Sequence, residues 1–207
     1  MLRIWGRLSS VNVQKVVWCA DELRLDYERI DAGGKFGRND TAEYLAMNPN
    51  GLIPVLEVDG FALYESNAIV RYLCAREASE LFPAELRRRA DVDRWMEWQS
   101  TNFTPAMGPA FWQLVRTPAA ERDAAATKAS VEKSAKLAAV LDRHLAGQEW
   151  LAGDAFSAAD IVVACATHRW LHLPGITREP RPHLDRWYAK LAARPASRQV
   201  TSQVPIA

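Results

Sequence analysis

The chain has 207 residues, 49% of them hydrophobic and 25% charged, and carries a net charge of +1. This is ordinary globular composition, enough for one large domain or two small ones. The near-neutral charge and the absence of a basic run exclude nucleic acid or an anionic membrane as the main partner. The opening Met-Leu-Arg-Ile-Trp-Gly meets an arginine and a glycine before any apolar run long enough for a signal peptide. No stretch approaches the roughly 18 apolar residues of a spanning helix, so a soluble, cytoplasmic protein is expected. Cys19, Cys74 and Cys165 are odd in number, far apart in sequence and set in apolar helical contexts, which fits buried reduced thiols; no zinc spacing and no C-x-x-C occurs.

Leu2 to Trp5 alternates into a short strand ending at Gly6, and Arg7 to Asn12 leads into a helix whose Val13, Val16, Val17, Ala20 and Leu23 share one face. Tyr27 to Asp31 reads as a second strand, so the chain opens as a βαβ unit with parallel strands. Ala32-Gly33-Gly34-Lys35-Phe36-Gly37 is a loop by its glycines, and Thr41 is placed to cap a short helix running to Met47. Val55–Val58 and Phe61–Leu63 flank Asp59-Gly60, a two-residue hairpin signal of the type I′ kind. Ile69, Tyr72 and Leu73 line the next helix, which ends near Ala78. The order β-α-β-α-β-β-α is the thioredoxin-like layout, an α/β domain over residues 1–78.

A linker over 79–84, marked by Pro83, leads into a second domain, 85–207, in which no strand signal returns. Glu85 to about Val115 is helical, with Pro105 and Pro109 expected to kink it. Thr117-Pro118 reads as a cap followed by a first-turn proline, and Val131, Leu137, Val140, Leu141 and Leu145 line the helix after it. Ser157-Ala-Ala-Asp160 has the spacing of a capping box, with Phe156 and Ile161 placed for a hydrophobic staple. Ile161 to Ala166 is apolar all round, as in a helix buried on every side. A last helix over about Arg181 to Ala193 and a polar tail close the chain.

Two stretches carry the chemistry. In Asn48-Pro49-Asn50-Gly51-Leu52-Ile53-Pro54-Val55-Leu56, Pro54 has no N–H for a sheet ladder and is tolerated only where a strand begins or at its edge. If Ile53–Pro54 is cis, the chain turns sharply and the Ile53 backbone points outward, free to pair with an extended peptide. Glu65-Ser66-Asn67 then opens a helix whose first-turn N–H groups suit a carboxylate, while the Glu65 side chain suits an ammonium. A short peptide carrying both charges at one end satisfies both stretches.

These motifs, in this order and spacing, resemble the cytosolic glutathione transferases, and more closely their serine-type bacterial members; the resemblance extends over nearly the whole chain. It implies an N-terminal thioredoxin-like domain that binds glutathione as co-substrate through Ile53, Pro54, Glu65, Ser66 and Asn67, followed by an all-helical domain that binds the electrophile. Aligned through Gln14-Lys15-Val16, Ser10 falls at the catalytic serine and Asn12 at an asparagine that also reaches the sulfur; Ser9 is the near competitor of Ser10. Neither is a base, so their role is donation to the glutathione thiolate. The plain alternative is that Ser10 or Asn12 merely caps the helix. With Gly51 and Leu52 where many relatives carry a polar residue, recognition of the glycyl carboxylate falls to Lys35 or Asn50, and Lys35 is equally readable as a solvated loop charge.

On the helical side, Phe103, Met107 and Phe111 recur at i, i+4 and i+8, with Trp112 adjacent and Trp170 at the end of the core helix. They are candidate walls for a hydrophobic electrophile, although such stripes are also ordinary packing or a subunit interface. Trp95 and Trp98 read as packing or dimer contacts, and His168 with His172 as histidines outside any metal site. The resemblance implies a homodimer and a role in detoxification. It leaves two rivals, a glutathione-dependent disulfide reductase or peroxidase and a non-catalytic binding module on the same fold.

Overall fold

The computed structural model describes residues 1–201; the end of the expected polar tail lies outside the described residues. The chain divides into two compact units, Met1–Pro83 joined by residues 195–201, and Ala84–Arg194.

The first unit is built on a four-stranded sheet of β1 (Leu2–Trp5), β2 (Tyr27–Ile30), β3 (Val55–Val58) and β4 (Phe61–Tyr64), in the order β2-β1-β3-β4. β1 and β2 are parallel across a helical crossover, while β3 is antiparallel to both β1 and β4. Asp59 and Gly60 both have positive φ, 50° and 81°, as a type I′ hairpin requires.

On one face lie α1 (Val11–Glu22) and α3 (Ser66–Arg76). Val13, Val16, Val17 and Ala20 have no exposed surface, as their spacing predicts. The inward face of α3 is Ile69, Val70, Leu73 and Cys74. Tyr72, expected on that face, is half-buried and packs its ring against Phe61 of β4 at 5.5 Å. The two helices bring Cys19 and Cys74, distant in sequence, to an Sγ–Sγ separation of 3.7 Å, both buried. The hydrogen bond they share, with burial adding to it, holds the Cys19 thiol well above its ordinary pKa, so it stays protonated.

The short α2 (Ala42–Met47) begins as expected, with Thr41 Oγ1 accepting the Tyr44 N–H at 3.3 Å. Tyr44 is buried among Trp5, Ala32, Met47 and Ile53, and its hydroxyl reaches the Leu52 carbonyl at 2.8 Å. The element order β1-α1-β2-α2-β3-β4-α3 is the thioredoxin-like one.

The second unit is helical, and among its described residues the only strand-like pairing is an isolated bridge between Trp150 and Gly153. α4 (Leu86–Trp98) is capped by Glu85, whose carboxylate accepts the Arg87 and Arg88 N–H groups. The helix does not simply kink at its prolines. It widens into π turns on either side of them, Gln99–Phe103 before α5 (Thr104–Phe111) and Trp112–Arg116 after it. Wider i to i+5 turns relieve a ladder from which Pro105 and Pro109 have removed donors.

α6 (Ala124–Leu145) starts later than Thr117-Pro118 suggests: its cap is Asp123, which accepts the Ala126 N–H at 2.9 Å. Thr117 instead closes the preceding helix, its N–H donating to the Trp112 carbonyl at 3.0 Å. The buried stripe of α6 is Ser130, Ser134, Ala138, Leu141 and Leu145; Val131, Leu137 and Val140 lie half-buried beside it. Small side chains on this stripe let α5 approach closely. The Ser130 hydroxyl accepts the Ala110 N–H at 3.0 Å and donates to the Ala106 carbonyl at 2.6 Å, bridging the α5 backbone next to Pro109.

α7 (Ala158–His172) is buried over Ala158–His168, and α8 (Pro182–Ala192) packs beside it. The capping pair is present and does more than cap. Asp160, with no exposed surface, accepts the Ser157 N–H and hydroxyl on one oxygen, and the Leu151 N–H and Trp187 indole N–H on the other. Phe156, expected to staple against Ile161, sets its ring against Trp150 and beneath the Arg194 guanidinium.

The chain then rejoins the first unit, where sequence suggested a helical domain running to the end. A 3-10 turn (Pro195–Ser197) and α9 (Arg198–Thr201) pack on α1, with Ser197 and Val200 buried and Gln199 donating to Asp21 at 3.0 Å.

Candidate active site

The register of the sheet assembles the site. Trp5 pairs with Ile30 on one side and Val55 on the other, and Val55 pairs with Tyr64. The residues that leave these positions are Gly6, Asp31, Pro54 and Glu65, so all four connecting loops emerge in a row from one end of the sheet. The loop before α1, the glycine loop, the Ile-Pro step and the Glu-Ser step therefore share one rim.

Ser10 stands at the N-cap position of α1 with extended backbone (φ −83°, ψ 124°), yet its hydroxyl makes no capping hydrogen bond. Among the described residues, the side chains of Ser10 and Asn12 have no hydrogen-bond partner, and both are half-buried. Two free polar groups thus sit at a helix end where N–H groups and the dipole favour an anion. Gln14 is buried and holds this loop by donating to the Leu8 carbonyl at 3.1 Å.

The Ile53–Pro54 bond is cis. The Leu52 carbonyl is taken by the Tyr44 hydroxyl and the Asn48 amide, both at 2.8 Å. The N–H and C=O of Ile53 itself have no partner among the described residues, an open stretch of backbone of the kind that adds a peptide strand. Ile53 lies against the start of α1: a Cβ on Gly6 would stand 2.5 Å from Val13 Cγ2 and 3.3 Å from Ile53 Cβ. Gly6, at φ 149°, is required there.

Glu65 is exposed and has φ 70°, an uncommon backbone for a non-glycine residue. It turns the chain from β4 into α3, leaving its carboxylate at the rim. Ser66 and Asn67 follow in the first turn, 6% and 8% exposed. Lys15, from α1, buries its side chain completely and donates to Ser66 Oγ at 3.4 Å and to Asn67 Oδ1 at 3.2 Å.

The residues expected at the other end of the ligand are less gathered. Asn50 turns its amide N–H toward Asn48 Oδ1, at 3.0 Å. Lys35 is exposed on a 3-10 turn, its ammonium 5.2 Å from the ring of Phe36. Arg7 lies nearer the peptide edge, since a Cβ on Gly33 would meet Arg7 Nη1 at 3.2 Å and Ile53 Cδ1 at 3.0 Å. Sequence reading passed over both Arg7 and Lys15. For Lys15 a signal existed: α1 is apolar on nearly all sides, so a lysine within it has no route to water.

In the helical unit, Phe103 and Met107 have no exposed surface and Trp170 is 3% exposed, which places these three in the unit's own core. Phe111 is half-buried with its ring 4.1 Å from the Arg169 guanidinium, and Trp112 is 62% exposed. Trp95 packs on Trp98 and His144. His168 shares a hydrogen bond with the Tyr188 hydroxyl, and His172 Nδ1 is bonded to the His168 carbonyl at 2.8 Å. Among the described residues no cluster of histidine, cysteine, aspartate or glutamate is arranged to hold a metal, and no helix is long and apolar enough to cross a membrane.

The family models for the glutathione S-transferase N-terminal domain and C-terminal domain match residues 9–76 and 103–195. The chain belongs to the glutathione S-transferase family, whose members are transferases. It is 44% identical to the glutathione S-transferase GstB of Escherichia coli K12, with 100% of both chains covered. It is 34% identical to glutathione S-transferase 3 of Zea mays, over 99% of this chain and 95% of that one. The theta class glutathione S-transferase of Xanthomonas axonopodis pv. citri, solved with glutathione bound, superposes with a TM-score of 0.95 at 43% identity, covering 100% of this chain and 99% of that one.

Proposed function

We propose that this protein is a glutathione transferase in which glutathione lies along Ile53 and its thiolate is stabilised by Ser10. The observation that carries this reading is the shared rim: an unpaired Ile53 backbone, an uncapping Ser10 hydroxyl and the anion-favouring first turn of α3 leave the same end of one sheet. The cysteinyl backbone pairs with Ile53 beside the strand-opening Pro54. The γ-glutamyl ammonium meets Glu65, its carboxylate meets Ser66 and the first-turn N–H groups of α3, and Asn67 stands next to them. The glycyl carboxylate falls to Lys35 or Asn50.

Chemistry follows from the ligand's sulfur. The loop before α1 holds no cysteine, so the protein cannot run thiol exchange on its own side chains there. Ser10 donates to the thiolate and Asn12 supports it, which favours the charged form and lowers the thiol pKa; each unit is worth about 1.4 kcal/mol. The thiolate then attacks an electrophilic carbon and expels its leaving group. A hydrophobic electrophile is the expected partner, with Phe111 and Trp112 the predicted aromatic residues that keep exposed surface. A cytoplasmic homodimer acting in detoxification completes the reading.

Retention on glutathione-agarose, conjugation of 1-chloro-2,4-dinitrobenzene and reduction of hydroxyethyl disulfide test it together. Retention with conjugation is expected. Reduction far exceeding conjugation would make the protein a reductase, and retention with neither activity would make it a binding module.

A further inference from the structure

We infer that Lys15 is the positioning residue for the carboxylate end of the peptide ligand: it holds Ser66 Oγ as an acceptor, so that the Ser66 hydroxyl is left to donate and the start of α3 selects an anion. The inference rests on the glutathione reading above and concerns how that site discriminates.

An ammonium gives hydrogen bonds and receives none. Lys15 has three donors and no acceptor, so every hydrogen bond it forms must be accepted by its partner. Ser66 Oγ, 3.4 Å away, and Asn67 Oδ1, 3.2 Å away, both face it. A serine hydroxyl that accepts from an ammonium cannot give its own proton back, so that proton is directed to another acceptor. The Ser66 hydroxyl is thereby set to donate to whatever acceptor occupies the rim, in the first turn of α3, where the backbone N–H groups lack partners within the helix.

Burial makes this arrangement rigid and electrically effective. Lys15 is 2% exposed, so its position is fixed by packing within α1. A buried ammonium is kept charged only where acceptors surround it, and its field is weakly screened in that setting. A carboxylate at the start of α3 therefore meets the oriented Ser66 hydroxyl, the helix N–H groups and the Lys15 ammonium behind them. A neutral group in the same place gains little from any of these and displaces their solvent. Lys15 itself stays behind Ser66 and acts through it.

The test compares two peptides on the full-length protein by calorimetry: glutathione, and 4-aminobutyryl-cysteinyl-glycine, which keeps the amine but lacks the γ-glutamyl carboxylate. The wild-type protein is expected to prefer glutathione strongly. Lys15→Met, which keeps the length and loses the donors, is expected to shrink that preference by about tenfold, the worth of one hydrogen bond to a charged group. Lys15→Arg keeps the charge and is expected to retain most of the preference; should Lys15→Met not fold, Lys15→Gln, which loses the charge but keeps a polar side chain, is expected to show a reduced preference, and an unchanged one in that variant overturns the inference. A merely structural lysine would weaken both peptides alike, so a Lys15→Met ratio equal to that of wild type, in a folded protein, overturns the inference. Wild-type protein that binds neither peptide overturns the glutathione reading itself, which the Lys15 variants alone cannot do.

Discussion

The Trp187 indole donates its N–H to the carboxylate of Asp160 at 2.9 Å, in the interior of the helical unit. That carboxylate has no exposed surface and takes three more hydrogen bonds, from the Leu151 N–H and from the N–H and hydroxyl of Ser157. Burial pushes its pKa up, and the four donors oppose the rise. Asp160→Asn places an NH2 group against donors and is expected to cost about 3 kcal/mol, whereas Trp187→Phe removes one donor and is expected to cost about 1 kcal/mol beyond its packing change. Urea unfolding of both variants checks the order. Equal losses would mean that packing of the indole, not the carboxylate, governs this region.

Ser130→Ala should destabilise out of proportion to the single oxygen it removes. The hydroxyl serves the Ala110 N–H and the Ala106 carbonyl, both interior to α5. Its loss leaves these two buried groups to find each other across a turn held open by packing, at a cost of about 1–3 kcal/mol. Ser130→Cys, with a weaker donor and acceptor, should fall between. Thermal unfolding of the three proteins reads the series, and a neutral Ser130→Ala would show that the α5 ladder closes without the bridge.

Acid lability is expected from His168. Burial, with His172 and Arg169 adding to it, lowers its pKa from the ordinary 6.5 to about 4. The unfolded chain thus binds a proton between about pH 6.5 and pH 4 that the folded chain refuses, so this residue's contribution to stability is complete above pH 6.5 and is lost as the pH falls toward 4. His168→Gln should flatten the decline in that window while leaving the carboxylate-driven loss at lower pH. An unaltered pH profile would show that His168 titrates normally.

At the rim, Ser10→Ala and Glu65→Ala should part company. If Ser10 is the proposed donor to the thiolate, its removal is expected to lower kcat about tenfold or more and to raise the pKa of the bound thiol by about one to two units, with glutathione affinity nearly intact. Removing Glu65, the proposed partner of the ligand's ammonium, is expected to raise KM for glutathione about tenfold while kcat at saturation changes little. Steady-state rates and ultraviolet titration of the thiolate supply both readings. A Ser10→Ala protein with wild-type rate and thiol pKa would pass the role to Ser9 or Asn12.

Much of this was legible in the chain because it is locally encoded. The strands announce themselves by alternation, the hairpin by Asp59-Gly60, and the α7 start by Ser157 and Asp160, each within a few residues. The site motifs are equally local, since Pro54 and Glu65 sit at strand ends whose pairing follows from the hairpin. What escaped depends on contacts between segments. Ser130 and Ser134 are polar by type, so an apolar stripe drawn on α6 misses them, although close approach of α5 needs small side chains there. Trp187 and Leu151 reach Asp160 from 27 and 9 residues away. Lys15 looks like a solvated charge until the helix around it is seen to be enclosed. Phe103 and Met107 have the spacing of a pocket wall, and that spacing is also the spacing of a core.

Because Pro195–Ser197 and α9 settle on α1, the gene order of this protein and its physical partition do not coincide. An excised fragment ending at Pro83 would uncover the flank of α1 that Val200 and Ser197 shield, and a recombinant chimera crossing over once near that point would inherit a mismatched terminal patch from the other parent. Engineers who exchange the helical half between relatives should carry the closing segment along with the opening one, through two junctions instead of one.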